Sequence, residues 1–351
     1  MATISRPSVC LPSHSVSTVE LVEHFAARYR GHTRIDDALR VMRATTVRER
    51  RLSRPLEVLS DPATPPAQRL RDHFEDTCRL ALQAARLALA ESGVGVGQIR
   101  GLVCASTTGY AMPGLDVYLA NRLELPPATR RVPVTQLGCD GGAYAIARAA
   151  EQRRLGLDHV LVVCADLFLP WIHPADTGMD AMIFRALMGD AAAACVVSPG
   201  SEPGPGPRIT GTWDYTVPGT TDIVGTRVAP DGMHIFNSPA LYRAVETALV
   251  DLLRWYQDTA PADAGPIPDF VIAHPGGPRV MDVLMDGLKC SPAQLALSRQ
   301  SLSEIGNAGS VSVLDVLART YAAPPRPGAH GILVGVGPGV TLTACAATWR
   351  G

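Results

Sequence analysis

Apolar residues fall along this chain in two rhythms. Short, nearly unbroken apolar runs occupy Ile99–Ser106, His159–Ala165, Ala191–Val197, Phe270–His274, Gly331–Gly335 and Val340–Ala346. Runs of this length and continuity predict strands covered on both faces. Longer stretches carry apolar residues every three to four positions and predict helices over Ser17–Tyr29, Glu75–Glu91, Gly114–Arg122, Gly142–Arg154, Pro239–Gln257, Pro278–Leu288 and Gly309–Tyr321. In Glu75–Glu91 the series Cys78, Leu82, Ala85 and Leu89 makes one buried stripe. Strands alternating with helices predict a layered α/β protein.

Between the strand at Ala191 and the next segment lies Ser198–Arg208, with four prolines and three glycines in eleven residues. It reads as a linker, because such a stretch makes neither a helix nor a central strand. It divides the chain into an N-terminal half, 1–208, and a C-terminal half, 209–351, each with a strand–helix–strand rhythm. Asp61–Pro66 reads as a surface loop, and Ala322–Ala329 as the connection from the last helix to the last strand pair.

Composition narrows the function. Hydrophobic residues are 46% of the 351 positions and charged residues 19%, enough apolar material for a sizeable core. The formal net charge of −1 argues against a nucleic-acid partner. No apolar run reaches the roughly 18 residues of a membrane span. Met1–Leu11 shows no signal-peptide pattern, so a cytoplasmic protein is expected. Eight cysteines stand apart, with no C-x-x-C pair, and no metal site is expected. Lys289 is the only lysine, which leaves one position for Schiff-base chemistry. Neither a G-x-S-x-G elbow nor a P-loop occurs, and Gly335–Val340 lacks the last glycine of a dinucleotide fingerprint.

Three residues stand out. Cys139 sits in Gln136-Leu-Gly138-Cys139-Asp-Gly141-Gly142, where an extended segment meets a predicted helix. Helix N-termini favour thiolates, and glycines let a substrate or another backbone come close. His274 ends a strand just before Pro275-Gly-Gly-Pro278, a stiff turn that aims a side chain into a cleft. Asn307, in Gly306-Asn307-Ala308-Gly309, reads either as a helix cap or as an amide donor to developing negative charge. A nucleophilic thiol, an imidazole and a carboxamide make a unit for acyl transfer between thioesters.

At these sites the sequence resembles the type III polyketide synthases, the chalcone-synthase-like branch of the thiolase superfamily. The resemblance extends to Met112-Pro-Gly114, Leu187-Met-Gly-Asp190, Glu304-Ile-Gly-Asn307 and Gly335-Val-Gly-Pro-Gly-Val-Thr341, and is loose only over the first hundred residues. It implies a duplicated αβαβα layered sandwich, in agreement with the two-half reading. It also implies an acyltransferase that loads an acyl-CoA starter on Cys139 and extends it iteratively with malonyl-CoA by decarboxylative condensation. The product would be a short polyketide released as a pyrone or phenolic ring. His274 and Asn307 would bind the malonyl thioester carbonyl, and His274 would form an ion pair with Cys139 that depresses the thiol pKa. Coenzyme A thioesters are the only small molecules implied, with no separate cofactor. Met112 would reach across a homodimer interface, or be an ordinary core methionine.

The resemblance further implies a cavity lined by Thr107, Phe168, Trp171, Met188, Ile235 and Gly309. Met188 and Ile235 would form its gate, and Gly309 would open space on one wall. Phe168 and Trp171 would shrink the cavity and favour a triketide or tetraketide; they read equally as core aromatics. For the phosphates of coenzyme A the candidates are Arg40, Arg43 and Arg48, in a cluster with Arg50 and Arg51, together with Arg279. A solvated basic face is the alternative reading of that cluster. Two features depart from the family pattern: the glycines after Cys139 come one place early, and Asp140 sets a carboxylate beside the thiol. An inward carboxylate would oppose thiolate formation, so Asp140 is expected to face away. Two other readings remain open, a single-condensation ketoacyl synthase III-like enzyme and a non-catalytic dimer partner.

Overall fold

A computed structural model describes residues 1–201, 204–229 and 232–351. The predicted apolar runs all become strands of a ten-stranded mixed sheet. Its order is Phe270–Ala273, His330–Gly337, Thr341–Arg350, Gly206–Thr216, Ala2–Ile4, Ala191–Pro199, His159–Asp166, Ile99–Ala105 and Arg130–Val134, with Ser8–Cys10 also pairing with Ala191–Pro199. Ile99–Ala105 runs parallel to both its neighbours, and Phe270–Ala273 runs parallel to His330–Gly337; the other pairings are antiparallel.

Both faces of these strands are covered, which is why their sequences read as continuous apolar runs. Along His159–Asp166, Val160, Val162 and Cys164 face a central layer, while Leu161, Val163 and Ala165 face an outer one. In the C-terminal half, Phe270 and Ile272 face the same central layer and Val271 and Ala273 a different outer one. The central layer holds the helices Gly141–Arg154 and Ser312–Ala322, packed between strands of both halves. Helices Pro66–Ser92 and Leu115–Arg122 cover one outer face. Helices Ala240–Thr259 and Pro278–Gly287 cover the other. The order helix, sheet, helix, sheet, helix is the layered sandwich expected from the sequence.

Several elements differ from the sequence expectation. The helix expected from Glu75 begins at Pro66, because a proline at the first helical position costs no hydrogen bond. Ser198–Pro199 close one strand and Gly206–Arg208 open the next, so both ends of the proline-rich stretch belong to the sheet; Glu202 and Pro203 within it lie outside the described residues. The antiparallel hairpin Val224–Ala229 and Gly232–Asn237 had no apolar run to announce it. Among the described residues, no helix is long and apolar enough to cross a membrane.

Candidate active site

Backbone geometry presents the thiol. Gln136 and Gly138 take positive φ angles of 61° and 54°, and a short 3-10 turn, Gly138–Asp140, then leads into the helix Gly141–Arg154. Left-handed backbone is costly for Gln136 and free for Gly138. A Cβ on Gly142 would lie 2.0 Å from the carbonyl oxygen of Ser310. Gly142, three residues after Cys139, therefore lets the central helix touch the loop that follows Asn307.

His274 comes directly after the strand Phe270–Ala273, and its backbone N–H donates to the Val334 carbonyl at 2.9 Å. The side chain is fully buried, and neither ring nitrogen has a hydrogen-bond partner among the described residues. Asn307 is stitched to the segment Leu187–Gly189 through its own N–H (2.8 Å to Leu187 O) and its own carbonyl (3.0 Å from Gly189 N). Its Oδ1 accepts from Gly309 N at 2.9 Å, as a capping oxygen does. Because a backbone N–H can only donate, this bond fixes the amide orientation, and Nδ2 points at Cys139 Sγ, 3.5 Å away. The cap and the amide donor are thus one side chain serving both roles.

Cys139, His274 and Asn307 line one cavity of about 670 Å³. Thr107, Phe168, Trp171, Met188 and Arg279 line it too. Ile235 does not. It packs with Ile172 and Ala181, and the next residue, Phe236, lines the cavity instead. Successive strand residues face opposite sides, so a shift of one position exchanges wall for core. Gly309 opens no space either. A Cβ there would meet the Phe168 ring at 2.6 Å, so that ring already fills the gap. Met112 is 99% exposed and outside its own chain's cavity, near Tyr110, which does line it.

The arginines separate by position. Arg279 lies at the cavity mouth, its guanidinium 4.0 Å from the centre of the Tyr242 ring. Arg40 and Arg43 are exposed on the helix Ile35–Arg43, whose Val41 touches the cavity, but neither lines it. Arg48 pairs with Glu304 outside the cavity, and Arg50 is wholly buried, donating to Thr18 and the Ala186 carbonyl.

The electrostatics differ from the expected ion pair. Burial pushes the Cys139 thiol up to about 12, against the pull of the Asn307 amide, and the carboxylates of Asp166 and Asp140 add to the rise. Burial alone pushes His274 down to about 3. No hydrogen bond joins the two side chains among the described residues. Burial thus favours the neutral form of each group taken singly, and for the thiol it opposes the pull of the helix dipole. Asp140 does turn away from the cavity, as expected. It accepts from Thr343 N and Oγ1, both at 2.9 Å.

Two structural acids escaped sequence reasoning. Asp166 accepts from Thr107 N, Thr108 N, Ser310 N and Ser310 Oγ, tying the Thr107 wall to the loop after Asn307. Asp190 accepts from Ser53 N and Phe168 N, fixing the backbone that carries the Phe168 ring. An acidic residue ending an otherwise apolar strand was the available signal for Asp166. Phe184, Phe236 and Tyr242 of the lining had none. Among the described residues, no group of three or more His, Cys, Asp or Glu is arranged to hold a metal ion.

Residues 2–203 match the N-terminal domain model of the chalcone and stilbene synthases, and residues 210–347 match the C-terminal domain model. A phloroglucinol synthase of Pseudomonas fluorescens is 32% identical over 350 residues, 99% of each chain. A 1,3,6,8-tetrahydroxynaphthalene synthase of Streptomyces griseus is 31% identical over 358 residues, 99% of this chain and 93% of the relative. Among solved structures, the 1,3,6,8-tetrahydroxynaphthalene synthase of Streptomyces coelicolor superposes with a TM-score of 0.93 at 29% identity, covering 99% of both chains. Germicidin synthase, a type III polyketide synthase from the same species, gives a TM-score of 0.88 at 29% identity and the same coverage.

Proposed function

Since the chain belongs to the chalcone and stilbene synthase family and is a type III polyketide synthase, we propose that Cys139, His274 and Asn307 carry its iterative malonyl-CoA condensation. The observation that carries this reading is the Asn307 amide at 3.5 Å from Cys139 Sγ, in the cavity that the unpartnered His274 also lines. As Sγ attacks the starter thioester, its proton passes to the imidazole and on to the departing coenzyme A sulfur. The two charges that form during attack offset each other. Malonyl-CoA then loses CO2. The His274 ring and the Asn307 amide donate to the thioester oxygen as the enolate forms, and donors placed where charge develops contribute most inside a dry site. The enolate carbon attacks the acyl-cysteine and the Cys139 thiolate leaves; it then attacks the extended thioester for the next round, or takes a proton from water when the product is released.

Arg279, stacked on Tyr242 at the mouth, suits a coenzyme A phosphate, with Arg40 and Arg43 nearby as exposed supplementary charges. The cavity falls within the roughly 300–1,000 Å³ of ordinary ligand sites, and Phe168 and Trp171 occupy part of its wall. That supports few extensions, a triketide or tetraketide, released as a pyrone or phenolic ring. Exposed Met112 supports a homodimer in which this residue reaches the partner.

The test is incubation with labelled malonyl-CoA and a panel of acyl-CoA starters, followed by mass spectrometry of the products and of the protein. Wild type should yield a short polyketide and an acyl adduct at Cys139. Normal product from Cys139→Ala, or an adduct elsewhere, would overturn the assignment.

A further inference from the structure

Asp140 is buried, lies outside the cavity and takes no part in the chemistry above. Its neighbours nevertheless make room for it. A Cβ on Gly335 would fall 2.6 Å from Asp140 Oδ1, and one on Gly337 would fall 2.7 Å from Asp140 Cβ. Both glycines belong to the strand His330–Gly337, and both acceptor contacts come from Thr343 on the next strand, Thr341–Arg350. The side chain beside the nucleophile, in the N-terminal half, is thus received by two adjacent strands of the C-terminal half. His274 N–H is bonded to Val334, one residue before Gly335. The strand that receives Asp140 therefore also sets the height of the imidazole.

We propose that Asp140 is a positioning residue: its carboxylate locks the Cys139 turn to Thr343, on the strand paired with the one that bonds the His274 N–H, holding thiol and imidazole in register across the two halves. This rests on Cys139 and His274 being the reacting pair. The lock is polar where an apolar side chain would fill the same space. Two donors converge on one carboxylate, so rotation of the 3-10 turn breaks both bonds at once. A buried acceptor that loses its donors carries an uncompensated desolvation cost, which makes the alternative positions of Sγ unfavourable.

The lock has an electrostatic consequence. Thr343 Oγ1 lies 2.9 Å from Asp140 Oδ2 and 3.2 Å from Asp214 Oδ1, so one hydroxyl proton serves two carboxylates. Asp214 is itself paired with Arg148, at 2.5 Å, and Arg148 with Glu151. Asp140 has no cation of its own, and burial holds its carboxyl up to about 7. Around the thiol the remaining titratable groups are Asp166 and His274. Ionisation of Asp140 therefore opposes thiolate formation, and its protonated form favours it.

Three variants test the lock. Asp140→Ala should lower kcat about tenfold or more while KM for malonyl-CoA changes little, because no cavity wall is touched. Asp140→Asn, which keeps an acceptor for Thr343 N–H, should restore most of that kcat. Its pH profile of Cys139 alkylation by iodoacetamide should move about one unit toward lower pH, a readout that a purely structural role would leave in place. Thr343→Val, which removes only the hydroxyl contact, should slow turnover in the same direction and serves if Asp140→Ala does not fold. Equal kcat for wild type and Asp140→Ala, or an alkylation profile unmoved in Asp140→Asn, would overturn the proposal. Failure of the underlying reading would show separately, as no acyl adduct on Cys139 in the wild-type protein.

Discussion

Asp166 and His274 occupy comparable places in the two halves of the molecule. Each stands at the end of an apolar strand, each is fully buried, and each is ionisable. Asp166 accepts four hydrogen bonds, whereas both nitrogens of His274 have no partner among the described residues. Burial cost is similar in kind for both: it raises the carboxyl to about 6 and lowers the imidazole to about 3. The difference lies in what offsets it. A satisfied buried group holds a fold together, and an unsatisfied one reserves its hydrogen bonds for a ligand that has not yet arrived. Satisfaction, more than burial or titration, separates these two residues.

The comparison can be broken most forcefully at His274. His274→Gln should reduce condensation by about 10³-fold, measured as product formation, with a thermal midpoint no lower than wild type. An unfolding midpoint that drops as steeply as the rate would make His274 a scaffold residue after all. Asp166→Ala should do the reverse. It strands four donors and should cost on the order of 3 kcal/mol of stability by denaturant titration, with activity lost in proportion to the unfolded fraction. A fully stable Asp166→Ala would remove the contrast.

A finer test lies in the wall. The Phe168 ring fills the gap beside Gly309, so Phe168→Ala should open the cavity and lengthen the product by one or more malonyl units, read by mass spectrometry. It should also destabilise by about 3 kcal/mol through the void left behind. An unchanged product would show that another wall limits the chain.

The smallest effect is a pH dependence. Asp140 binds its proton more tightly in the folded chain, at about 7, than its ordinary value near 3.8. The folded state therefore holds more protons between those values, and stability falls as pH rises through that window. Asp166 and Asp190, both held up to about 6, act in the same direction. His73 and His274, pushed down to about 4 and about 3, act oppositely, since the unfolded state binds their protons first. Comparing one variant with wild type isolates a single contribution. Between pH 5 and 8, Asp140→Asn should lose less thermal stability than wild type. Parallel curves would show that the Asp140 carboxyl titrates normally.

How much of this was visible in the chain depends on the range of the interaction. The central strands were legible because both faces of each are covered, and the helix caps because Ser17 and Gly114 act on their own neighbours. Cys139, His274 and Asn307 were legible because each is framed by glycines and prolines that announce an unusual local backbone. The hairpin register was not, and the gate residue moved from Ile235 to Phe236. The state of the thiol was not legible either: a helix start is a local feature, but what surrounds Sγ comes from segments as distant as Asp166 and Asn307.

The sequence by itself determined the layered sandwich, the identity of the three residues in the cavity and the family to which the chain belongs. Periodicity gave the layered α/β class, and short motifs gave the three residues and the family resemblance that implies the duplicated sandwich; both depend on neighbours along the backbone. Only the tertiary structure decided that burial pushes the thiol up and the imidazole down, that Phe168 fills what Gly309 vacates, and that Asp140 is received by Thr343. Desolvation, steric filling and hydrogen-bond satisfaction are sums over whatever packs nearby, and that company is assembled only when the two halves close on one another.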